Sequence, residues 1–315
     1  MPSKCQVSKK SLFLAKFSHF PTPSHGKVTF FKFHLHMQTI LSILNKTTDF
    51  LQKHGVPNAK LDSQLLLSHG LGLKRMDLFL NFDRPLSEPE LAKLRPMVTR
   101  RAKREPLQHI IGSVSFRGHE IKCDKRALVP RHETELILDI LMEKGKLENV
   151  LDIGTGSGAI AIAVALELNA KVFATDISEE ALELAKENVA LHGLESEISL
   201  IHSDLLSALP SDVKFDALLA NLPYIPLSDA VKLQPEVLDG DPHLALFGGD
   251  DGLELIRKLL NTCTAHLKPS APVILEIANG QEKILQSENF INLKLTEIRK
   301  DYNEQVRFIT FTITE

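Results

Sequence analysis

The chain has 315 residues, 43% of them hydrophobic and 24% charged, with a formal net charge of -3. That content excludes wholesale disorder and a strongly basic nucleic-acid binder, and the length suits one large and one small domain. Cys5, Cys123 and Cys263 lie far apart without a Cys-x-x-Cys pair, and no apolar run nears the roughly 18 residues of a membrane span. The cysteine pattern fits a reducing, cytoplasmic compartment rather than a disulfide framework or zinc site.

Residues 1–36 stand apart: Lys4, Lys9, Lys10, Lys16, Lys27 and Lys32 occur there with no Asp, Glu or Arg. Without them the formal charge moves from -3 to -9. The stretch lacks arginine, a clean helical stripe and a signal-peptide pattern, so it reads as a basic extension, disordered or upstream of a true start at Met37. Its histidines His25, His34 and His36 have no acidic partners, and no metal site is expected.

From Met37 the periodicity predicts helices. Ile40, Leu41, Leu44 and Leu51 recur at three-and-four spacing until Gly55-Val56-Pro57, and Leu61 to Leu67 continue the pattern to Gly70. Ser87 and Glu90 form a capping-box signature for a third helix, which ends in the basic run Arg100 to Arg104. Residues 37–108 therefore read as a small helical domain. Ile110, Ile111, Val114, Phe116, Ile121 and Val129, with turns at Gly112 and Arg117-Gly118, predict a β-hairpin linker over 109–130. A helix over about 133–144 follows.

Beyond 148, short apolar runs alternate with helical stretches. The runs start at Val150, Val172, Ile198, Phe215 and Val273, then at Leu293 and Val306. Unbroken apolar runs between helices predict strands buried on both faces, hence a mostly parallel seven-stranded α/β sheet over 131–315, with the last two strands antiparallel at one edge.

The first run ends in Gly154-Thr155-Gly156-Ser157-Gly158 before an alanine-rich helix. Glycines let the backbone turn sharply and approach a ligand, and the helix start offers free N–H groups. Asp176 ends the second run, 22 positions after Gly154, where a carboxylate can hold ribose hydroxyls. Loop and acid together imply an adenosine cofactor, NAD or S-adenosylmethionine. Asp204, after the third run, either meets the adenine or caps the following turn.

The fourth run ends in Asn221-Leu222-Pro223-Tyr224. At a strand's carboxyl end this tetrad lies where an open α/β sheet binds ligands. A planar amide or exocyclic amine is a poor nucleophile, because its lone pair is delocalised. The Asn221 side-chain oxygen and the Leu222 carbonyl could accept its two N–H bonds and aim the nitrogen, with Tyr224 stacked on its face. The partner of such a clamp is a sulfonium methyl donor, which selects S-adenosyl-L-methionine.

These segments resemble the HemK/PrmC family of protein-glutamine methyltransferases. The resemblance rests on Glu105 to Gly112, the Pro130-Arg131-His132-Glu133-Thr134-Glu135 segment, the Asp152–Gly158 loop, the tetrad, and the Ala245–Leu253 glycine loop. It also includes Leu275-Glu276-Ile277 with Gln281, and Asp301 with Arg307. It implies a helical substrate-docking domain before a Rossmann-like methyltransferase domain. It further implies methylation of the Gly-Gly-Gln glutamine of class 1 release factors at N(5). A monomer with no stable nucleic-acid or membrane association is the separate expectation for the chain.

By the same resemblance Gly154, Thr155, Gly156, Ser157, Gly158, Asp176, Asp204, Leu205 and Asn221 would bind the cofactor. Asn221, Leu222, Pro223 and Tyr224 would bind the glutamine, with Asn221 and Tyr224 in catalysis. Two departures stand out. The family's usual Asn-Pro-Pro-Tyr has Leu222 second, and the position after Asp204, often aromatic, is Leu205. Asn-Leu-Pro-Tyr is also the pattern of ribosomal-RNA adenine dimethyltransferases, so an adenine-directed RNA or DNA methyltransferase is the alternative. Against it stand the helical domain placed first and the acidic balance after residue 36.

Overall fold

The computed structural model describes residues 38–210 and 212–314. The lysine-rich stretch 1–36 and the candidate start at Met37 lie outside the described residues. Thr39 caps α1 (Ile40–Lys53), accepting from the Ser42 amide at 3.3 Å. Next come α2 (Ala59–Leu71), the short α3 (Arg75–Leu80), which no periodicity signalled, and α4 (Glu88–Ala102). α4 starts as its signature requires: the Glu90 carboxylate accepts from the Ser87 amide and hydroxyl, each at 2.8 Å. A negative charge there also suits the helix dipole. The helices close over Ile40, Leu44, Leu67, Leu78, Leu91 and Leu94, all buried. At roughly 1.5–3 kcal/mol per buried aliphatic side chain, these six and a second buried cluster around Leu51, Leu66 and Ile110 hold the helical layer together.

Ile110 and Ile111 are not part of the hairpin, as the reading of residues 109–130 had it. They lie in a further short helix, α5 (Leu107–Ile111), between Pro106 and Gly112. Proline's fixed φ suits a helix start, and Gly112 at φ +88° turns the chain out of it. The hairpin itself is β1 (Ser113–Phe116) with β2 (His119–Lys122), antiparallel. Its two turn residues, Arg117 at φ +50° and Gly118 at φ +82°, are both left-handed, the twist a two-residue hairpin turn needs. Arg117 is held there by Asp139 at 2.8 Å and by Glu167 at 2.9 Å.

After a 3-10 turn (Glu133–Glu135) come α6 (Leu136–Met142), β3 (Asn149–Ile153), α7 (Ala159–Leu168), β4 (Lys171–Asp176), α8 (Glu179–His192) and β5 (Ile198–His202). The chain continues through β6 (Ala217–Ala220), α9 (Pro235–Leu238), α10 (Glu254–Thr262), β7 (Pro272–Glu276), α11 (Gln281–Ser287), β8 (Leu293–Lys300) and β9 (Val306–Ile313). The strands form one seven-stranded sheet in the order β5-β4-β3-β6-β7-β9-β8. The first five of these neighbours run parallel, and β9 is antiparallel to both β7 and β8. β6 and β7 are buried along their whole length, because α6 and α7 cover one face of the sheet and α10 and α11 the other. After β3 the chain winds outward to β4 and β5, then returns to β3's other side as β6. That reversal opens a crevice at the carboxyl ends of β3 and β6.

Candidate active site

The loop after β3 turns on three glycines in left-handed conformation: Gly154 at φ +73°, Gly156 at +56° and Gly158 at +82°. The Gly154 and Thr155 amides both donate to the Thr175 carbonyl at 2.9 Å, which pins the loop to β4. Below it, Asp152 is fully buried. Its Oδ2 accepts from the Thr155 hydroxyl at 2.6 Å, and its Oδ1 has no partner among the described residues. Burial pushes this carboxyl up to about 7, with only partial relief from Thr155. Gly158 begins α7, and a Cβ there would meet the Ala185 Cβ of α8 at 3.4 Å. That spacing lets α7 pack closely on α8.

Asp176 closes β4 with both carboxylate oxygens engaged: Oδ2 accepts from the Gly156 amide at 2.8 Å, Oδ1 from the Ser178 amide at 2.9 Å. Each oxygen keeps lone pairs for a further donor. Burial raises its pKa despite these amides. Asp204 is half exposed and pairs with Lys258 of α10 at 2.6 Å. The turn after it is capped by Ser203, whose hydroxyl accepts from the Ala208 amide at 3.0 Å. Leu205 is buried at φ +51°, an unusual conformation for a side-chain-bearing residue that fixes its direction.

Gly154, Thr155, Gly156, Ser157, Asp176, Asp204, Leu205, Asn221, Leu222 and Pro223 all line one cavity of about 1160 Å³, open solvent at its mouth included. Gly158 does not line it, and neither does Tyr224. Tyr224 lines a second cavity of about 580 Å³ together with Ile225, Val237 and Glu276. Asn221 and Leu222 line both. The tetrad therefore stands on the divide between the two spaces.

The tetrad's backbone is clamped by the later glycine loop. The Ile225 amide donates to the Leu246 carbonyl and the Gly248 amide to the Ile225 carbonyl, each at 3.0 Å. A Cβ at Gly248 would come within 2.3 Å of the Pro223 carbonyl oxygen, and one at Gly252 within 2.1 Å of the Tyr224 carbonyl oxygen. These glycines are there because two backbones touch. Gln281 donates to the Tyr224 carbonyl at 2.9 Å. Leu222, where the resembling family has proline, is buried, and its Cδ2 would sit 3.0 Å from a Cβ at Gly154. It joins the tetrad to the glycine loop after β3.

Several groups around the site had no signal in the sequence spacing. Asn221 Nδ2 donates to the Thr134 hydroxyl at 3.1 Å, and Thr134 donates to Glu276 Oε2 at 2.6 Å. Tyr224 donates to Glu276 Oε1 at 3.0 Å. Burial and the neighbouring carboxylate both push the Tyr224 phenol well above its ordinary value. Fully buried Asn188 donates to the Ser157 carbonyl at 2.9 Å and accepts from the Lys122 amide at 2.8 Å, tying the hairpin to the glycine loop. Glu236, in the segment after the tetrad, accepts from Arg101 at 2.8 Å and Arg104 at 2.6 Å. Arg101 also reaches Asp62 at 2.7 Å, so the helical layer is locked to that segment.

Residues 42–112 match the family described as PrmC N-terminal domain, and residues 144–297 match one described as Methyltransferase domain. The chain is 41% identical to a release factor glutamine methyltransferase of Geobacter sulfurreducens over 245 residues, 77% of this chain and 85% of that one. It is 37% identical to the release factor glutamine methyltransferase of Deinococcus radiodurans over 271 residues, covering 85% and 96% of the two chains. It is also 31% identical to a bifunctional methyltransferase of Rickettsia felis, matching 87% of this chain and 58% of that one.

Proposed function

The chain belongs to the release factor glutamine methyltransferase family, and from that premise we propose that it methylates N(5) of the glutamine in the Gly-Gly-Gln motif of class 1 release factors. The methyl donor is S-adenosyl-L-methionine, which when bound supplies an electrophilic methyl on a sulfonium. The residues present fit an adenosyl group. The glycine loop brings bare backbone to the cavity wall, Asp176 has lone pairs left for hydroxyls, and Leu205 and Leu222 add apolar surface. Gly154 to Ser157, Asp176, Asp204 and Leu205 would hold it, with Asn221 at its far end.

One observation carries the reading. A carboxamide, Asn221, stands on the divide between a cofactor-sized cavity and a second one ending at Tyr224 and Glu276. Its oxygen and the Leu222 carbonyl accept the two N–H bonds of the substrate amide. They thereby orient the nitrogen lone pair and draw positive charge onto the departing protons. Tyr224 bounds the face of the planar group, and Pro223 holds the turn. Orientation of this kind can supply roughly 7–11 kcal/mol of a barrier, so no general base is needed before transfer. The product nitrogen is acidic enough to lose its proton to water.

The same reading assigns residues 37–108 to substrate docking, 109–130 to a linker and 131–315 to catalysis, in a cytoplasmic monomer acting on protein. Among the described residues no helix is long and apolar enough to cross a membrane. Adenine methylation has no support from the relatives. The test is methyl transfer from labelled cofactor to purified release factor and, separately, to ribosomal RNA. Label should enter the release factor alone and vanish when its Gly-Gly-Gln glutamine is replaced; label in RNA only overturns the proposal. Asn221→Ala should lower kcat by orders of magnitude while cofactor still binds, and near-normal turnover would remove the clamp role.

A further inference from the structure

We propose that Thr134 and Glu276 are positioning residues for methyl transfer, because together they dictate which atom of the Asn221 carboxamide faces the substrate. The inference rests on the amide-clamp reading above and adds the groups that make the clamp point the right way.

A carboxamide has one accepting end and one donating end, nearly equal in shape, so packing alone does not choose between them. Hydrogen bonding does. Glu276 ends β7, one residue beyond Leu275, which pairs with Ala220 of β6; this register sets its carboxylate beside Asn221. Thr134 arrives from the 3-10 turn before α6. Glu276 is buried, as is Thr134, so a partner lost by either leaves a poorly solvated polar group. With a hydroxyl donating to each of its oxygens, Glu276 acts in this arrangement as an acceptor. It takes the single proton of Thr134 on Oε2 at 2.6 Å and that of Tyr224 on Oε1 at 3.0 Å.

Thr134 then has only lone pairs left for its other neighbour. Asn221 must meet it with Nδ2, at 3.1 Å, and its oxygen is turned away from Thr134. The reversed amide would set two acceptors against each other, or strip a hydrogen bond from a buried carboxylate. Proton direction therefore runs one way: Asn221 to Thr134 to Glu276, with Tyr224 feeding the same acceptor. Burial raises the Glu276 pKa above its ordinary value and Glu133 adds to that, while the hydrogen bonds from Thr134 and Tyr224 and the Arg307 guanidinium of β9 pull it back toward the carboxylate. One buried acceptor thus orients both polar side chains of the tetrad, Asn221 and Tyr224.

Glu276→Gln tests this with almost no change of shape. A glutamine amide can donate to Thr134, freeing the threonine proton to go to Asn221, whose carboxamide then turns over and offers N–H to a substrate that also offers N–H. Thr134→Val removes the link with an isosteric side chain, and Thr134→Ser restores it. At saturating release factor, Glu276→Gln and Thr134→Val should each lower kcat on the order of 10- to 100-fold, with the cofactor Kd and the melting temperature close to wild type. Thr134→Ser should recover most of the loss. The double variant should be no worse than the poorer single, since both break one chain.

Wild-type kcat in Thr134→Val overturns the proposal, as does a loss confined to KM or to cofactor binding, or a failure of serine to rescue. If Glu276→Gln does not fold, Thr134→Val and Thr134→Ser decide alone. A wild-type enzyme that labels no release factor sinks the functional reading instead. Thr134 and Glu276 are then judged by the same series on whichever acceptor is labelled.

Discussion

Gly252→Ala isolates the contribution of the glycine loop that braces the tetrad. An added Cβ would lie 2.1 Å from the Tyr224 carbonyl oxygen, 2.8 Å from its carbon and 2.7 Å from Gln281 Nε2. The first two are backbone atoms, which no rotamer change can move. Reaching an ordinary contact near 3.4 Å means displacing the Tyr224 peptide or the facing loop by a little over 1 Å. A misplacement of about 1 Å near reacting groups can lower the rate roughly 100-fold, about 2.7 kcal/mol. The left-handed φ of +78° adds about 1–2 kcal/mol of strain for alanine. Gly193→Ala is the control: it has φ +66° and nothing within 4 Å of the new methyl, so it carries the strain without the displacement. Both variants should melt several degrees lower. Only Gly252→Ala should lose kcat, measured by labelled methyl transfer at saturating substrates. Equal kcat in the two variants refutes the bracing argument.

Two further changes probe the buried charges. Glu236→Ala leaves the Arg101 guanidinium, 6% exposed, with Asp62 as its one remaining carboxylate partner. The loss should approach about 3 kcal/mol, roughly 6–12 °C in melting temperature. Burial raises the Glu236 pKa, but its hydrogen bonds to Arg104 and Arg101 outweigh that and hold it below the ordinary value of 4.5. Its contribution is therefore present at neutral pH and lost as pH falls through the folded value, so the deficit of the variant should shrink in acid. Asp152 behaves oppositely: its folded pKa, pushed up to about 7, lies above the ordinary 3.8. Between those values the folded state keeps a proton that the unfolded chain releases, so wild-type stability falls as pH rises. Melting scans should show Asp152→Asn gaining on wild type from pH 4 to 7, and a flat difference would contradict this.

The sheet was legible because its strands are buried on both faces, which leaves unbroken apolar runs such as Val150–Ile153 and Val273–Leu275. The hairpin turn at Arg117-Gly118 and the box at Ser87 and Glu90 were legible because local chemistry decides them. α3 left no trace: it has six residues, and its apolar Met76 and Leu80 are exposed, so it shows no buried stripe. α5 was misread because adjacent Ile110 and Ile111 carry neither period and suit a strand by composition. Asp204 lines the cavity but caps nothing, since Ser203 does that work. Gly158 packs against α8 and stands outside the cavity lining, a division of labour within the glycine loop that the three-glycine pattern alone does not reveal.

The support beneath the tetrad was the least legible part, and the reason is sequence distance. Thr134 lies 87 positions from Asn221 and 142 from Glu276, so no spacing rule could join them. A trace did exist. Glu276 is a carboxylate closing an otherwise apolar strand, and a charge buried there must have partners. The tetrad's departure at Leu222 follows from the same distribution of labour. What a clamp needs from that position is a main-chain carbonyl, which every residue has. The side chain needs only to pack, and Leu222 packs on Gly154. The positions most sensitive to substitution should be those where an atom's hydrogen-bonding sense matters. In the proposed clamp Asn221 turns an oxygen toward the crevice, Thr134 passes one proton on, and Glu276 remains an acceptor. If the proposed clamp holds, specificity for a planar amide is set less by the residues that touch it than by a buried carboxylate two hydrogen bonds away.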